Sequence, residues 1–215
     1  MTKPETRYQK YLARKRQKQQ GQKATPAPPR AAMAWQMRWV AHAPIHECLV
    51  PAVLFEQGLG NLVFSRSLPD GRIALSVFLL DMFCLGVKNA FFTITTKPQY
   101  AERLSGWSTS ERLEAMHPAC FRKLVEGGVA YAGELGFNPH ADYLVARQIF
   151  GDVDAVACPT HFEYGHEGKP FYIAGPHDTA TQVQTIVNQL ERRLGTGNFD
   201  YLVMTDPSEL GEWIR

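Results

Sequence analysis

The chain has 215 residues, of which 45% are hydrophobic and 20% are charged, and its formal net charge is +2. This composition excludes a fully disordered chain, and the length is sufficient to bury one substantial core. No stretch approaches the roughly 18 consecutive apolar residues that a membrane-spanning helix needs, so we expect a protein that does not cross a membrane.

The charge is divided unevenly along the chain. Residues 1–30 contain nine Lys or Arg residues and one acid, Glu5, so they carry +8 (9 − 1), and the remaining residues carry −6 (14 − 20). Since this stretch has little apolar surface and ends in the proline-rich sequence ATPAPPR, it predicts a flexible, disordered tail over residues 1–32. The predicted single α+β domain then covers 33–215.

Two interpretations of the basic tail remain open. In the first, it is a nucleic-acid-binding arm that neutralises the phosphates of RNA or a ribonucleoprotein, while Tyr8 and Tyr11 stack on bases. An acidic protein partner would bind the same charges. Alternatively, it is a solvated terminus that only improves solubility. The candidate contacts to a polyanion are Lys3, Arg7, Lys10, Arg14, Lys15, Arg16 and Lys18.

The body opens with a predicted antiparallel meander. A strand is expected around residues 46–50. Two β-rich runs then flank the sequence SLPDG, in which Pro69 presets φ and Gly71 accepts a left-handed conformation, so a hairpin is predicted. The run VKNAFFTIT returns as a further strand with both faces buried. The meander therefore has three or four strands.

Helices follow the meander. Thr96 and Gln99 form a capping-box pattern at the start of the first one. A longer helix is predicted from Pro118 to Gly136, and the glycines at 127 and 128 in its middle indicate that another element packs closely there. A further helix is expected between Pro139 and Gly151.

The last third returns to strands. The sequence GHEGK predicts the turn of a second hairpin, flanked by aromatic residues. An amphipathic helix follows, with apolar residues from Val183 to Leu194 on one face and Gly195 at its end. The sequence FDYLVM predicts a last strand. This order of strands, helices, hairpin and helix indicates the α+β class.

Polar residues interrupt the apolar run LLDMFCLGVKNAFF and form the first candidate site. If Cys84 is accessible and Lys88 lies close to it, the ammonium group would lower the thiol pKa and give a reactive thiolate, with Asp81 orienting a histidine. The alternative is structural: Cys84 fills core space, and Asp81 caps the turn or pairs with Lys88.

The sequence AGPHDT lies between a predicted strand and the amphipathic helix. There, His177 and Asp178 would stand at a helix start that favours anions, and a histidine beside a carboxylate is suited to acid–base chemistry. The alternative is that Asp178 only caps the helix.

The cysteines give a third hypothesis. The four cysteines are widely spaced and no signal peptide precedes them, which predicts reduced thiols and a cytoplasmic location. A structural zinc site is one alternative, because the short pairs HPAC and CPTH could converge in space. Its ligands would be His117, Cys120, Cys158 and His161. Otherwise, His117 caps a helix and Cys120 lies in the core.

Two classes of function follow from these patterns. The first is a cytoplasmic binding or accessory protein that attaches to RNA, a ribonucleoprotein or another polyanionic partner through its basic arm. The second is a hydrolase or nucleic-acid-processing enzyme whose catalytic cleft gathers Asp81, Cys84, Lys88, His177 and Asp178. Because no established catalytic motif is present, the first class is favoured.

Overall fold

A computed structural model describes residues 39–108, 112–175 and 178–203 of the chain. The basic residues of the predicted tail and His177 lie outside these ranges. The described residues form one five-stranded antiparallel sheet in the order β4-β3-β2-β1-β5, together with several helices, which confirms the α+β class. The strands are β1 Ile45–Pro51, β2 Leu59–Ser67, β3 Ile73–Asp81, β4 Gly86–Thr95 and β5 Leu113–Ala115.

The predicted β2–β3 hairpin is present. Its turn is closed by hydrogen bonds from Leu68 N to Arg72 O and from Gly71 N to Leu68 O, and Gly71 has φ 82°. Consecutive side chains of these strands point to opposite faces of the sheet. Because helices cover both faces, the central strands are buried on both sides and consist of nearly continuous apolar residues.

Two layers of helices enclose the sheet. The helices are α1 Leu54–Gln57, α2 Lys97–Ser108, α3 Pro118–Glu134, α4 Tyr143–Ala146 and α5 Ala180–Leu194, with short 3-10 turns at Arg147–Phe150 and Ala155–Ala157. Helix α2 covers one face through Tyr100 and Leu104, and it begins with the predicted capping contacts between Thr96 and Gln99. Helices α3 and α4 cover the other face, where Phe121, Phe150 and Phe78 form the main core.

The two mid-helix glycines of α3 are sites of close approach, as predicted. A Cβ at Gly127 would stand 2.2 Å from the Tyr164 hydroxyl oxygen, and one at Gly128 would stand 2.8 Å from Leu80 Cδ1. The tyrosine is held there because its hydroxyl donates a hydrogen bond to Leu124 O at 2.9 Å. Only glycine leaves room for both contacts.

The C-terminal part differs from the predicted second hairpin. The turn is present, since His166 and Lys169 form an isolated antiparallel bridge, but β6 Phe171–Ile173 pairs in parallel with β7 Asp200–Leu202 across α5. The segment before the turn does not pair as a strand because its aromatic residues, Phe162 and Tyr164, pack against the main core instead. The result is a small β-α-β unit next to the five-stranded sheet.

One cation lies inside the main core. Arg66 on β2 is buried, and its guanidinium donates hydrogen bonds to Ile149 O at 2.7 Å, to Phe150 O at 2.9 Å and to Ala43 O. Burial lowers the pKa of this guanidinium from its ordinary value. The three carbonyl groups satisfy the buried donors, so Arg66 joins the sheet to the end of the 3-10 turn after α4.

Among the described residues, no helix is both long and apolar enough to span a membrane.

Candidate functional site

Asp81 is the last residue of β3 and organises the connection to β4. Its Oδ1 accepts hydrogen bonds from the backbone N–H groups of Phe83 and Cys84, each at 3.0 Å, and the residue is 6% exposed. Burial raises the pKa of the carboxyl group to about 6, although the Lys88 ammonium and the backbone N–H groups act in the opposite direction. The carboxyl group therefore holds a tight turn, as the capping alternative describes.

Cys84 is fully buried against Leu135, Tyr172 and Leu190. Burial raises the pKa of its thiol, and the Asp81 carboxylate raises it further. Lys88 lowers the thiol pKa as the sequence suggested, but this effect is smaller than that of burial. This environment favours the core-filling interpretation of Cys84 over a reactive thiolate.

Lys88 on β4 faces the connection between β6 and α5. Its Nζ lies 3.9 Å from Asp178 Oδ2, and the same carboxylate oxygen accepts hydrogen bonds from the Tyr172 hydroxyl at 2.9 Å and from Gly175 N at 2.8 Å. Burial and then the Asp178 carboxylate raise the pKa of the Tyr172 hydroxyl. Asp178 thus joins the β-α-β unit to β4, while Thr179 is the residue that caps α5.

Four of the five predicted site residues therefore lie near one another and interact in pairs. Asp81 and Cys84 share a turn, Lys88 acts electrostatically on both, and Asp178 pairs with Lys88. The fifth, His177, lies outside the described residues. The contacts account for the positions of these four side chains by turn formation and docking, and the catalytic role assigned to them from the sequence stays a prediction.

The prediction of four reduced cysteines is wrong for two of them. Cys120 and Cys158 form a disulfide, with their Cα atoms 4.9 Å apart. The sequence pairs HPAC and CPTH do converge, but each sulfur is bonded to the other and is not available to zinc as a thiolate. His117 caps α3, because its Nδ1 accepts a hydrogen bond from Ala119 N at 3.3 Å.

The zinc hypothesis fails for a second reason. Within residues 39–108, 112–175 and 178–203, no group of three or more His, Cys, Asp or Glu side chains is arranged to hold a metal ion. His161 instead lines a cavity on the other side of its segment, described below.

A cavity of about 710 Å³ opens where the described chain begins. We call it the arginine pocket; its lining residues are Ala41, His42, Arg122, Leu144, Arg147, Gln148, Phe150 and Gly151. Arg122 Nε and Arg147 Nη2 both contact Glu126 Oε1, at 3.1 and 3.0 Å. Two guanidinium groups thus share one carboxylate, which leaves one net positive charge at the pocket wall. Trp39, 73% exposed, lies two residues before the first lining residue.

A second cavity, of about 540 Å³, has the opposite character. Phe55, 49% exposed, stacks on Phe162 at a centroid distance of 6.0 Å, and the carboxylates of Glu56, Glu163 and Glu167 are at the rim. We call this the acidic cavity. Sequence reasoning missed both cavities because their walls come from segments far apart in the chain; the only local signal is the Arg122–Glu126 pair at the spacing of one helical turn.

Comparisons with protein-family models, curated proteins and solved structures gave no match to this chain. A proposal for its function consequently depends on the charges and geometry described above.

Proposed function

We propose that the protein is a binding or accessory protein that attaches to RNA or a ribonucleoprotein through its basic N-terminal arm, residues 1–30. The observation that carries this proposal is the separation of charge along the chain, +8 in the arm and −6 in the rest. An acidic body repels phosphates at long range, so the arm supplies the attraction and determines which end of the protein meets the polyanion.

The arginine pocket supports this proposal by its position. Ala41 and His42, which line it, follow Arg30 by about a dozen residues, so a strand of RNA held by the arm reaches the pocket without a long detour. Guanidinium groups suit phosphate because their planar fork matches its oxygen atoms. The exposed indole of Trp39 offers a face on which an unpaired base stacks.

RNA is favoured over an acidic protein for this arm because its aromatic residues accompany its charge. Tyr8 and Tyr11 are interspersed with the basic side chains. Stacking on single-stranded bases uses such rings, whereas an acidic polypeptide gains little from them. The proposed location is the cytoplasm, where RNA partners are abundant.

The experiment compares the full chain with a full-length variant in which the seven arm residues are changed to Gln: Lys3, Arg7, Lys10, Arg14, Lys15, Arg16 and Lys18. Binding of a fluorescent single-stranded RNA is measured by anisotropy over a range of salt concentrations. If all seven contacts form, log K falls against log salt with a slope of about −5, from about 0.7 per phosphate contact. The variant loses most of that slope. The matched control is Lys97→Gln with Arg103→Gln, two exposed bases on α2, which leaves the slope unchanged.

Two results would contradict the proposal. Equal affinity and slope for the seven-residue variant would remove the arm as the binding element. Equal binding to polyglutamate and to RNA at the same salt would indicate an acidic protein partner instead. Arg147→Gln tests the pocket separately: a lower affinity with an intact arm supports its contact with the strand, and no change limits binding to the arm.

The hydrolase alternative has weaker support. Its nucleophile, Cys84, is 0% exposed, and burial raises its thiol pKa. A catalytic thiol needs access to substrate and a sizeable thiolate fraction, and this position provides neither.

A further inference from the structure

The disulfide joins a partly exposed cysteine residue to a buried one. Cys120 is partly exposed near the start of α3, whereas Cys158, which lies 38 residues later, is 2% exposed. Thiol–disulfide exchange requires an incoming thiolate to reach one sulfur while the other leaves. The exposure therefore makes Cys120 the point of entry and Cys158 the first leaving group.

The surroundings of this pair stabilise thiolates. Cys120 is the third residue of the 17-residue helix α3, where the helix dipole favours negative charge. Lys123, one turn later, donates a hydrogen bond from Nζ to the backbone oxygen of Cys158 at 3.0 Å, which places its ammonium group next to the residue that carries the buried sulfur. By contrast, burial dominates at Cys48 and raises its thiol pKa to about 12, although the Arg66 guanidinium acts in the opposite direction.

We propose that Cys120–Cys158 is a redox-active disulfide that exchanges with low-molecular-weight thiols of the glutathione type, with Cys120 as the attacked sulfur. In the first step a thiolate RS⁻ bonds to Cys120 Sγ, the Cys120–Cys158 bond breaks, and Cys158 leaves as a thiolate that takes a proton from water. In the second step another RS⁻ attacks the outer sulfur of Cys120–S–SR, which releases RSSR and the Cys120 thiolate. Two thiols are thus oxidised, and the protein disulfide is reduced by two electrons.

The segment that carries Cys158 keeps non-covalent links to α3 when the bond opens. Arg122 Nη1 donates to Val153 O at 2.7 Å, and the Tyr164 hydroxyl donates to Leu124 O at 2.9 Å. These contacts hold the two sulfurs near each other, so reoxidation is fast and the exchange is reversible. Thr160 and His161, which follow Cys158, line the acidic cavity, so the redox state also determines how firmly that wall is fixed.

The test uses the full-length protein, with thiols blocked at cell lysis to record the bond as it exists. The purified disulfide form is then exposed to glutathione under native conditions, quenched in acid and mapped by mass spectrometry. We expect a transient glutathione adduct at Cys120, followed by free thiols at positions 120 and 158, at a rate proportional to glutathione concentration. Cys48 and Cys84 serve as internal controls, because both are buried and react only when the fold opens.

Three outcomes would overturn the proposal. The first is that positions 120 and 158 are already reduced at lysis and remain so with glutathione disulfide. The second is that reduction occurs only as fast as Cys48 and Cys84 become reactive, which would make the bond a purely structural one. The third is that the adduct forms at Cys158.

A pair of variants tests the contribution of the lysine. Lys123→Gln is expected to slow the exchange by about threefold, since leaving thiols of higher pKa leave more slowly. Lys169→Gln is the matched control, because its Nζ contacts Gly197 O, away from the disulfide. Equal rates in the two variants would overturn the activation of the bond by Lys123, and the buried cysteines report whether each variant remains folded.

Discussion

The buried carboxyl group of Asp81 gives a prediction for the pH dependence of stability. Its pKa is raised from 3.8 to about 6 in the folded protein, with burial as the largest cause. Between these two values the folded state binds more protons at this site than the unfolded state does. Stability from this group is therefore complete below about pH 3.8 and is lost as the pH rises through about 6. Asp81→Asn removes the titration, and its amide oxygen still accepts the two turn hydrogen bonds.

The magnitude follows from the two pKa values. One pKa unit corresponds to about 1.36 kcal/mol, so the whole shift is worth about 3 kcal/mol. About 2 to 2.5 kcal/mol of this is lost between pH 4 and pH 7, because the unfolded carboxyl group is already partly ionised at pH 4. The quantity to follow is the difference in unfolding free energy between wild type and Asp81→Asn. This difference cancels the titration of every other group that the substitution leaves alone.

The assay is urea denaturation of both proteins at several pH values from 4 to 8. We expect the wild type to lose about 2 to 2.5 kcal/mol relative to the variant over this range. Asp70→Asn is the control, because a hydrogen bond from Arg72 lowers the pKa of that exposed carboxyl group. Its titration therefore lies below this pH range, and its difference from the wild type stays nearly flat between pH 4 and pH 8. If the stability of the wild type relative to Asp81→Asn does not change with pH, burial does not dominate the pKa of Asp81. If that relative stability increases with pH, the attraction of Lys88 dominates instead.

Two further predictions concern packing. Gly127→Ala is expected to lower the free energy of unfolding by about 1–3 kcal/mol, because its Cβ would overlap Tyr164. The control is Gly133→Ala on the same helix, where a Cβ has nothing within 4 Å, and it should raise the free energy of unfolding by about 1 kcal/mol. Equal effects of the two substitutions in thermal unfolding would contradict the close contact at Gly127. Arg66→Met should cost about 3–5 kcal/mol because the carbonyl groups of Ala43, Ile149 and Phe150 each lose a hydrogen bond from the guanidinium, whereas the exposed Arg72→Met should leave urea stability nearly unchanged. A small loss for Arg66→Met would mean that water replaces the guanidinium.

The sequence predicted those features whose determinants are local. The β2–β3 hairpin follows from Pro69 and Gly71 between two apolar runs, and α5 follows from its apolar stripe and Gly195. The close approach at Gly127 was also predictable, because glycine inside a helix costs stability unless the space is needed. For the hairpin and α5, the signal and the structure lie within about twenty residues of each other, whereas the partner of Gly127, Tyr164, could not be named from the sequence.

The features that sequence reasoning missed depend on contacts between distant segments. The parallel pairing of β6 with β7 was hidden because the turn before Phe171 resembled a hairpin, and only the packing of Phe162 and Tyr164 decides against it. The disulfide was missed: the sequence predicted reduced thiols with a zinc site as one alternative, since spacing alone does not distinguish a metal ligand from a bonded partner. The arginine pocket is formed by residues from the start of the body, from α3 and from α4, and no local sequence pattern predicts that these segments come together.

The position of β5 has a consequence for the order in which the molecule assembles. Leu49 pairs with Ala115, 66 residues later (115 − 49), whereas β2, β3 and β4 join through short connections. Loop closure over so long a stretch is entropically costly, and contacts of high sequence separation form late. During synthesis on the ribosome, the nascent chain therefore completes its first four strands while the outer edge of β1 is still open, and β5 covers that edge only after α2 has emerged.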